Sequence, residues 1–164
     1  MAYNVWLYWL NTGDKPFMID FGLELLIEIA KFWLSKTVWD ATTNRYHIGG
    51  VMGPDEFHEY SLGNKEAGLQ GNAYTNLMVA WLFNQIDLIV LSLSKQDLNN
   101  ILNQVNIDND FWQQLTTIKE NLVLSINEQN IIGQFDGYFA LEEIDCHRSC
   151  KTDPLGIIRT FLYG

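Results

Sequence analysis

Asp55, Glu56, His58 and Glu59 place three carboxyl groups and an imidazole within five residues, directly after Gly53-Pro54. That dipeptide cannot continue a helix, because Gly53 is free in φ and Pro54 holds φ near about −65°. The spacing predicts a stiff loop carrying carboxyl groups. Such a loop suits general acid catalysis, in which a carboxyl of raised pKa hands a proton to a leaving group. Close carboxylates and partial burial both raise a carboxyl pKa. Read in isolation, the same cluster also describes a solvated acidic turn.

The elements around this loop read as helices. Residues 2–11 form one, stopped at Thr12-Gly13; Asp14 can cap the next, which starts near Pro16 and runs to about Ser35. Glu24 and Glu28 share a face of that helix at i, i+4, either as a polar stripe with Lys31 or near a ligand. Val38-Trp39 and Tyr46-His47-Ile48 suggest a small hairpin leading to the acidic loop, and Gly49-Gly50 loosen the approach. Asn72 to about Leu93 reads as an apolar helix, with Leu77, Trp81, Ile86, Leu88 and Leu91 as core candidates. Further helices are expected over 95–105, behind Ser94, and from Asp108 or Asn109 to about Ser125. After Asn127 the chain reads as loop with short extended pieces at 131–135 and 137–139. The fold class expected is all-α with one hairpin.

Composition narrows the partners. With 164 residues and 48 % hydrophobic content, one domain with a real core is expected. Ten basic against twenty acidic residues, a net charge of −10, disfavour nucleic acid and anionic membrane, since both need clustered Lys and Arg. The scattered cations offer no anion site. Cys146 and Cys150 do not make a zinc quartet, so no metal is expected and a reduced, cytoplasmic pair is the default. No stretch reads as the ~20 apolar residues that span a bilayer, and no secretory leader is expected. The 6 Trp, 7 Tyr and 9 Phe suit core filling, and aromatic faces also make platforms for sugar rings.

Several segments recur with the acidic loop in a fixed order. They are Phe21-Gly22-Leu23-Glu24 with the apolar run to Trp33, then Trp39-Asp40, Arg45-Tyr46 and Gly50-Val51-Met52. Asn72-Ala73-Tyr74-Thr75-Asn76 and Phe135-Asp136-Gly137-Tyr138-Phe139 follow Gly53 to Glu59. Over about residues 2–145 the set resembles the central catalytic domain of glycoside hydrolase family 65, whose members include inverting maltose, trehalose and kojibiose phosphorylases and a few hydrolases. The pairing of GPDE-aromatic-His-Glu with NAYTN is its most specific part.

The resemblance implies an arc of an (α/α)6 toroid over residues 1–145, followed by a divergent tail over 146–164. It implies that Glu56 is the proton donor to the leaving oxygen of an α-linked glucoside, with Asp55, His58, Glu59 and Asn72 as substrate-binding candidates. His58 can bond a sugar hydroxyl, orient a carboxylate or brace the loop; for Asn72, capping the following helix is favoured over touching the sugar. An ordinary inverting hydrolase needs a second carboxylate to activate water. A phosphorylase uses inorganic phosphate as co-substrate instead and needs no cofactor.

The chain departs from the family pattern in two places: a longer connection over 59–71, with Gly71 where many members have Asn, and the stretch after about Asp145. The family's Lys-Gln sugar grip and Ser/Thr/His phosphate loop find no counterpart. The expectation is therefore a piece of a catalytic domain, inactive alone and prone to self-association through uncovered helix faces. The competing reading is a non-catalytic helical scaffold or interaction remnant.

Overall fold

The computed structural model describes residues 1–53, 67–107 and 110–141. The motif residues Asp55, Glu56, His58 and Glu59 lie outside them. The chain divides into two compact units, Met1–Ile48 with Thr75–Val123, and Gly49–Tyr74 with Leu124–Gly164.

The first unit is helical with one hairpin. Helix α1 (Ala2–Thr12) ends on Gly13, whose left-handed φ of 60° lets its amide bond the Trp9 carbonyl. Asp14 then caps α2 (Lys15–Phe17): its carboxylate accepts from the Phe17 amide at 3.0 Å, and Pro16 sits in the first turn. The helix runs through one wide π turn, Met18–Gly22, into α3 (Leu23–Lys36). Sequence periodicity gave no sign of that extra residue. Leu23, Leu26, Ile27 and Ala30 face inward at helical spacing, so α3 presents one buried stripe. Burying each Leu or Ile of that stripe contributes roughly 1.5–3 kcal/mol. Glu24 and Glu28 are exposed, and Glu28 pairs with Lys31 at 2.6 Å, so the polar stripe is the arrangement found.

β1 (Thr37–Asp40) and β2 (Arg45–Ile48) pair antiparallel, Thr37 opposite Ile48. The Asp40 carboxylate ties their turn, accepting from the Thr42 amide at 2.8 Å, the Thr42 hydroxyl at 2.7 Å and the Thr43 hydroxyl at 3.0 Å.

α4 (Ala73–Ser92) belongs to this unit but for its first two residues. Val79, Leu82, Phe83, Ile86 and Ile89 are its buried stripe. Of the expected core positions, Ile86 is buried and Trp81 partly so, whereas Leu77, Leu88 and Leu91 are exposed. The error has a cause: α4 is apolar all round, and a pattern without a polar face does not say which face is inside. The same composition makes α4 long and apolar enough to cross a membrane, which the sequence reading had not expected; a core helix passes the same test.

α5 (Lys95–Gln104) starts on Ser94, whose hydroxyl accepts from the Asp97 amide at 3.1 Å. α6 (Phe111–Asn121) stops four residues before the expected Ser125. Leu122 turns extended and bridges Tyr46 in parallel, and the Val123 amide donates to the Tyr46 carbonyl at 2.9 Å. The free edge of β2 thus takes the chain away from the helix. α3 packs against α1 and α6, and the π turn against α5.

In the second unit, Ile126 and Ile132 form an antiparallel bridge. Gly137 to Phe139, expected to be extended, instead enter a 3-10 turn, Tyr138–Ala140, with Gly137 at a φ of 84°.

Candidate functional site

The acidic segment leaves and rejoins the described chain at a narrow neck. Val51 and Leu69 form an isolated antiparallel bridge, with the Leu69 amide donating to the Val51 carbonyl at 2.7 Å. Gly53 precedes the motif, and Ala67 to Gly71 follow it as bends and bridge. Leu69 is fully buried and anchors this side. The backbone thus brings Val51 and Leu69, which flank the segment on either side, next to each other.

Asn72 is the site candidate that falls among the described residues. It is 1 % exposed and directly precedes α4, the capping position. A shallow cavity of about 150 Å³ opens beside it, lined by Asn72, Ala73, Tyr74, Ile132, Gly133 and Gln134. Ligand pockets usually begin near ~300 Å³, so this cavity alone does not hold a disaccharide. Two backbone bonds frame it: the Ala73 amide donates to the Gln134 carbonyl at 2.9 Å, and the Gly133 amide to the Ser125 carbonyl at 2.7 Å. Among the described residues no group of His, Cys, Asp and Glu could hold a metal ion.

The hairpin that leads to the neck carries its own charge. Asp40 is held below the ordinary carboxylate value of 3.8, chiefly by the Thr42 hydroxyl and then the Thr42 amide. His47 Nε2 lies 3.6 Å from the same carboxylate. These groups tie the turn itself, so their role is bracing rather than chemistry.

The model of the glycosyl hydrolase family 65 central catalytic domain matches residues 1–159. The chain belongs to that family. Among curated relatives, this family 65 chain is 39 % identical over 145 residues to the trehalose 6-phosphate phosphorylase of Lactococcus lactis, covering 88 % of the chain and 17 % of that enzyme. It is 35 % identical over 149 residues to the kojibiose phosphorylase of Halothermothrix orenii, covering 88 % of the chain and 18 % of the enzyme. A provisionally named kojibiose phosphorylase from the human microbiome, solved as a structure, superposes with a TM-score of 0.74 at 25 % identity, over 94 % of the chain and 22 % of its own length. The family 65 chain therefore spans about a fifth of the length of these relatives.

Sequence reasoning missed two features of this region. Asn76 is 1 % exposed and its Nδ2 donates to the Val123 carbonyl at 2.8 Å; its place in the NAYTN run was the available signal. The second is the set of glycines at the neck, of which Gly49-Gly50 alone was read from sequence, as loosening the approach to the acidic segment. Gly50, Gly68 and Gly71 all have positive φ; a Cβ on Gly68 would meet the Gly50–Val51 backbone, and one on Gly71 the Asp136 carboxylate.

Proposed function

We propose that this chain is the acid-bearing part of an inverting disaccharide phosphorylase that acts on α-linked glucosides. Membership of family 65, with phosphorylases among its relatives, carries this reading. Glu56, protonated, gives its proton to the leaving oxygen as positive charge grows at the anomeric carbon. Inorganic phosphate attacks that carbon from the opposite face, and a β-sugar 1-phosphate leaves with the free acceptor. Asp55, His58, Glu59 and Asn72 hold the substrate. No cofactor or metal takes part.

The helices form an arc of an (α/α)6 toroid in this reading, and the setting is cytoplasmic. Binding energy for distorting the sugar and placing phosphate comes from residues outside the stretch shared with the relatives. The chain alone should then bind a disaccharide weakly and turn none over. Calorimetry and a sugar phosphate assay with kojibiose, trehalose, trehalose 6-phosphate and maltose, with and without phosphate, test this. Heat of binding without phosphate-dependent release is the result expected. No binding to any of them would favour the competing reading, a helical scaffold, for which the exposed Leu77, Leu88 and Leu91 of α4 speak.

A further inference from the structure

α4 is apolar on every side, and a helix of that kind needs both of its faces covered. Its own chain covers one. At about 100° per residue, the buried Val79, Leu82, Phe83, Ile86 and Ile89 all lie on one half of the helix. Leu77, Trp81, Asn84, Leu88 and Leu91 lie within about 40° of a common line on the other half. Leu77, Leu88 and Leu91 are 45, 53 and 81 % exposed, Asn84 is exposed and Trp81 is half-buried. The wet face is therefore as regular as the dry one.

The steps along that line are four, three, four and three residues. This is the heptad rhythm by which one helix meets another along a seam, held here for two repeats over about 21 Å. Its polar position is Asn84, at the centre. A carboxamide carries both a donor and an acceptor, so a second carboxamide satisfies it. A single Asn in an otherwise apolar seam fixes which residues meet and how many chains join, at some cost in affinity.

Charge points the same way. The chain carries −10 overall, yet of its 20 acidic residues only Asp87 falls on α4. Asp87 stands to the side of the seam and pairs with Lys119 of α6. A strongly basic or acidic partner finds no counter-charge here, whereas a second copy sets neutral surface against neutral surface. The seam is also wider than α4. Trp81 meets Trp6 and Tyr3 of α1 with ring centroids 5.3 and 5.7 Å apart, and Tyr3 is exposed. The exposed Leu7 follows four residues after Tyr3, on the same face of α1. That width matters, because a stable interface buries ~1,200–2,000 Å².

We propose that the outer face of α4 is a homodimer interface of this chain, in which Asn84 of one copy is hydrogen-bonded to Asn84 of the other across a two-fold axis. A two-fold contact is self-complementary, and a residue beside its axis meets its own counterpart. Leu77, Leu88 and Leu91 close on the second copy's seam to either side of that pair. The inference holds whether the chain is a catalytic piece or a scaffold.

Sedimentation of the 164-residue chain, at a salt concentration that screens its charge, tests this. A monomer–dimer equilibrium at micromolar concentration is the result expected. Leu88→Lys should raise the dissociation constant at least about tenfold by bringing two ammonium groups into the seam, and Asn84→Asp should do so by setting two carboxylates face to face. If Leu88→Lys disturbs the circular dichroism of the fold, Leu91→Lys, at the more exposed position, takes its place. A monomer at every concentration, or a dimer that these substitutions leave intact, overturns the proposal. A monomer that binds neutral phosphatidylcholine vesicles overturns it too, and gives the face to lipid.

Crosslinking reads the register. In a chain carrying Cys146→Ser and Cys150→Ser, Asn84→Cys should oxidise to an interchain disulfide, which forms when the two Cα atoms come within ~7 Å. Asn99→Cys, exposed on α5 and off the seam, should crosslink far more slowly in the same background. Equal rates at the two positions overturn the proposal.

Discussion

The side-chain amide of Asn76, buried near the start of α4, donates to the main-chain carbonyl of Val123 at 2.8 Å, just beyond the end of α6. The bond holds together two segments far apart in sequence, where α6 gives way to the extended pair with β2. The Oδ1 of Asn76 is buried with no hydrogen-bond partner among the described residues. Asn76→Ala removes the one donor and leaves a carbonyl without it. A loss of about 1–3 kcal/mol is expected, and Asn76→Asp should lose more by burying a charge. Urea unfolding curves of the three proteins check this, and an unchanged midpoint in Asn76→Ala would show that water replaces the amide.

A relative of full family length that carries the same GPDE-aromatic-His-Glu motif provides the test of the acid. Changing the glutamate that corresponds to Glu56 to glutamine should lower kcat by roughly 10²- to 10⁴-fold with little change in KM, because the proton is needed in the transition state and not for binding. Phosphorolysis at saturating phosphate is the assay. Near-normal kcat would remove Glu56 from its role.

Acid should loosen both the start of α2 and the hairpin. The Asp14 carboxylate is held below its ordinary value of 3.8 by the Phe17 amide and then by the Tyr8 hydroxyl, and Asp40 by Thr42. Both groups therefore favour the folded chain above the ordinary carboxylate value, and that support is lost as pH falls through their lowered folded values. Both are only half-buried, so the effect is modest and screened by salt. Thermal melts in steps of pH below the ordinary value should show wild type losing its margin over Asp14→Asn and Asp40→Asn. Parallel curves for all three would contradict the assignment.

Self-association is the fourth expectation. Leu77, Leu88 and Leu91, with part of Trp81, form one exposed stripe on α4 at steps of helical spacing, and apolar patches of this kind tend to find a cover. The charge of −10 opposes it, so association should strengthen as salt screens the repulsion. Light scattering at rising ionic strength reads this out; a monomer at every salt concentration would mean the stripe stays wet.

Helix starts and the hairpin were legible in sequence because their signals are local. Asp14, Ser94 and the Val38-Trp39/Tyr46-Ile48 pattern each act within a few residues of their effect. The end of α6 was not legible, since Leu122 and Val123 leave the helix to meet Tyr46, far away in the chain. Nor was the inward face of α4, where apolar residues on every side erase the phase. The family could be read from two short motifs, while the neck could not: Gly68 and Gly71 look like flexibility in a sequence and prove to be contact points. What Gly71 excludes is visible only once Asp136 is seen beside it.

The wide turn at Met18–Gly22 bears on how this helix can change length. A π turn accommodates one residue more than the α-helical path between its flanks. At Glu24 or Leu25, by contrast, removing a residue would swing all that follows by about 100° and carry Leu26, Ile27 and Ala30 out of the core. At Asp20 or Phe21, both exposed, the surplus residue can be deleted and the turn closes to ordinary α-helix with the flanking phases kept. The chain thus holds one turn in this buried helix where a single codon can be lost without turning the protein inside out.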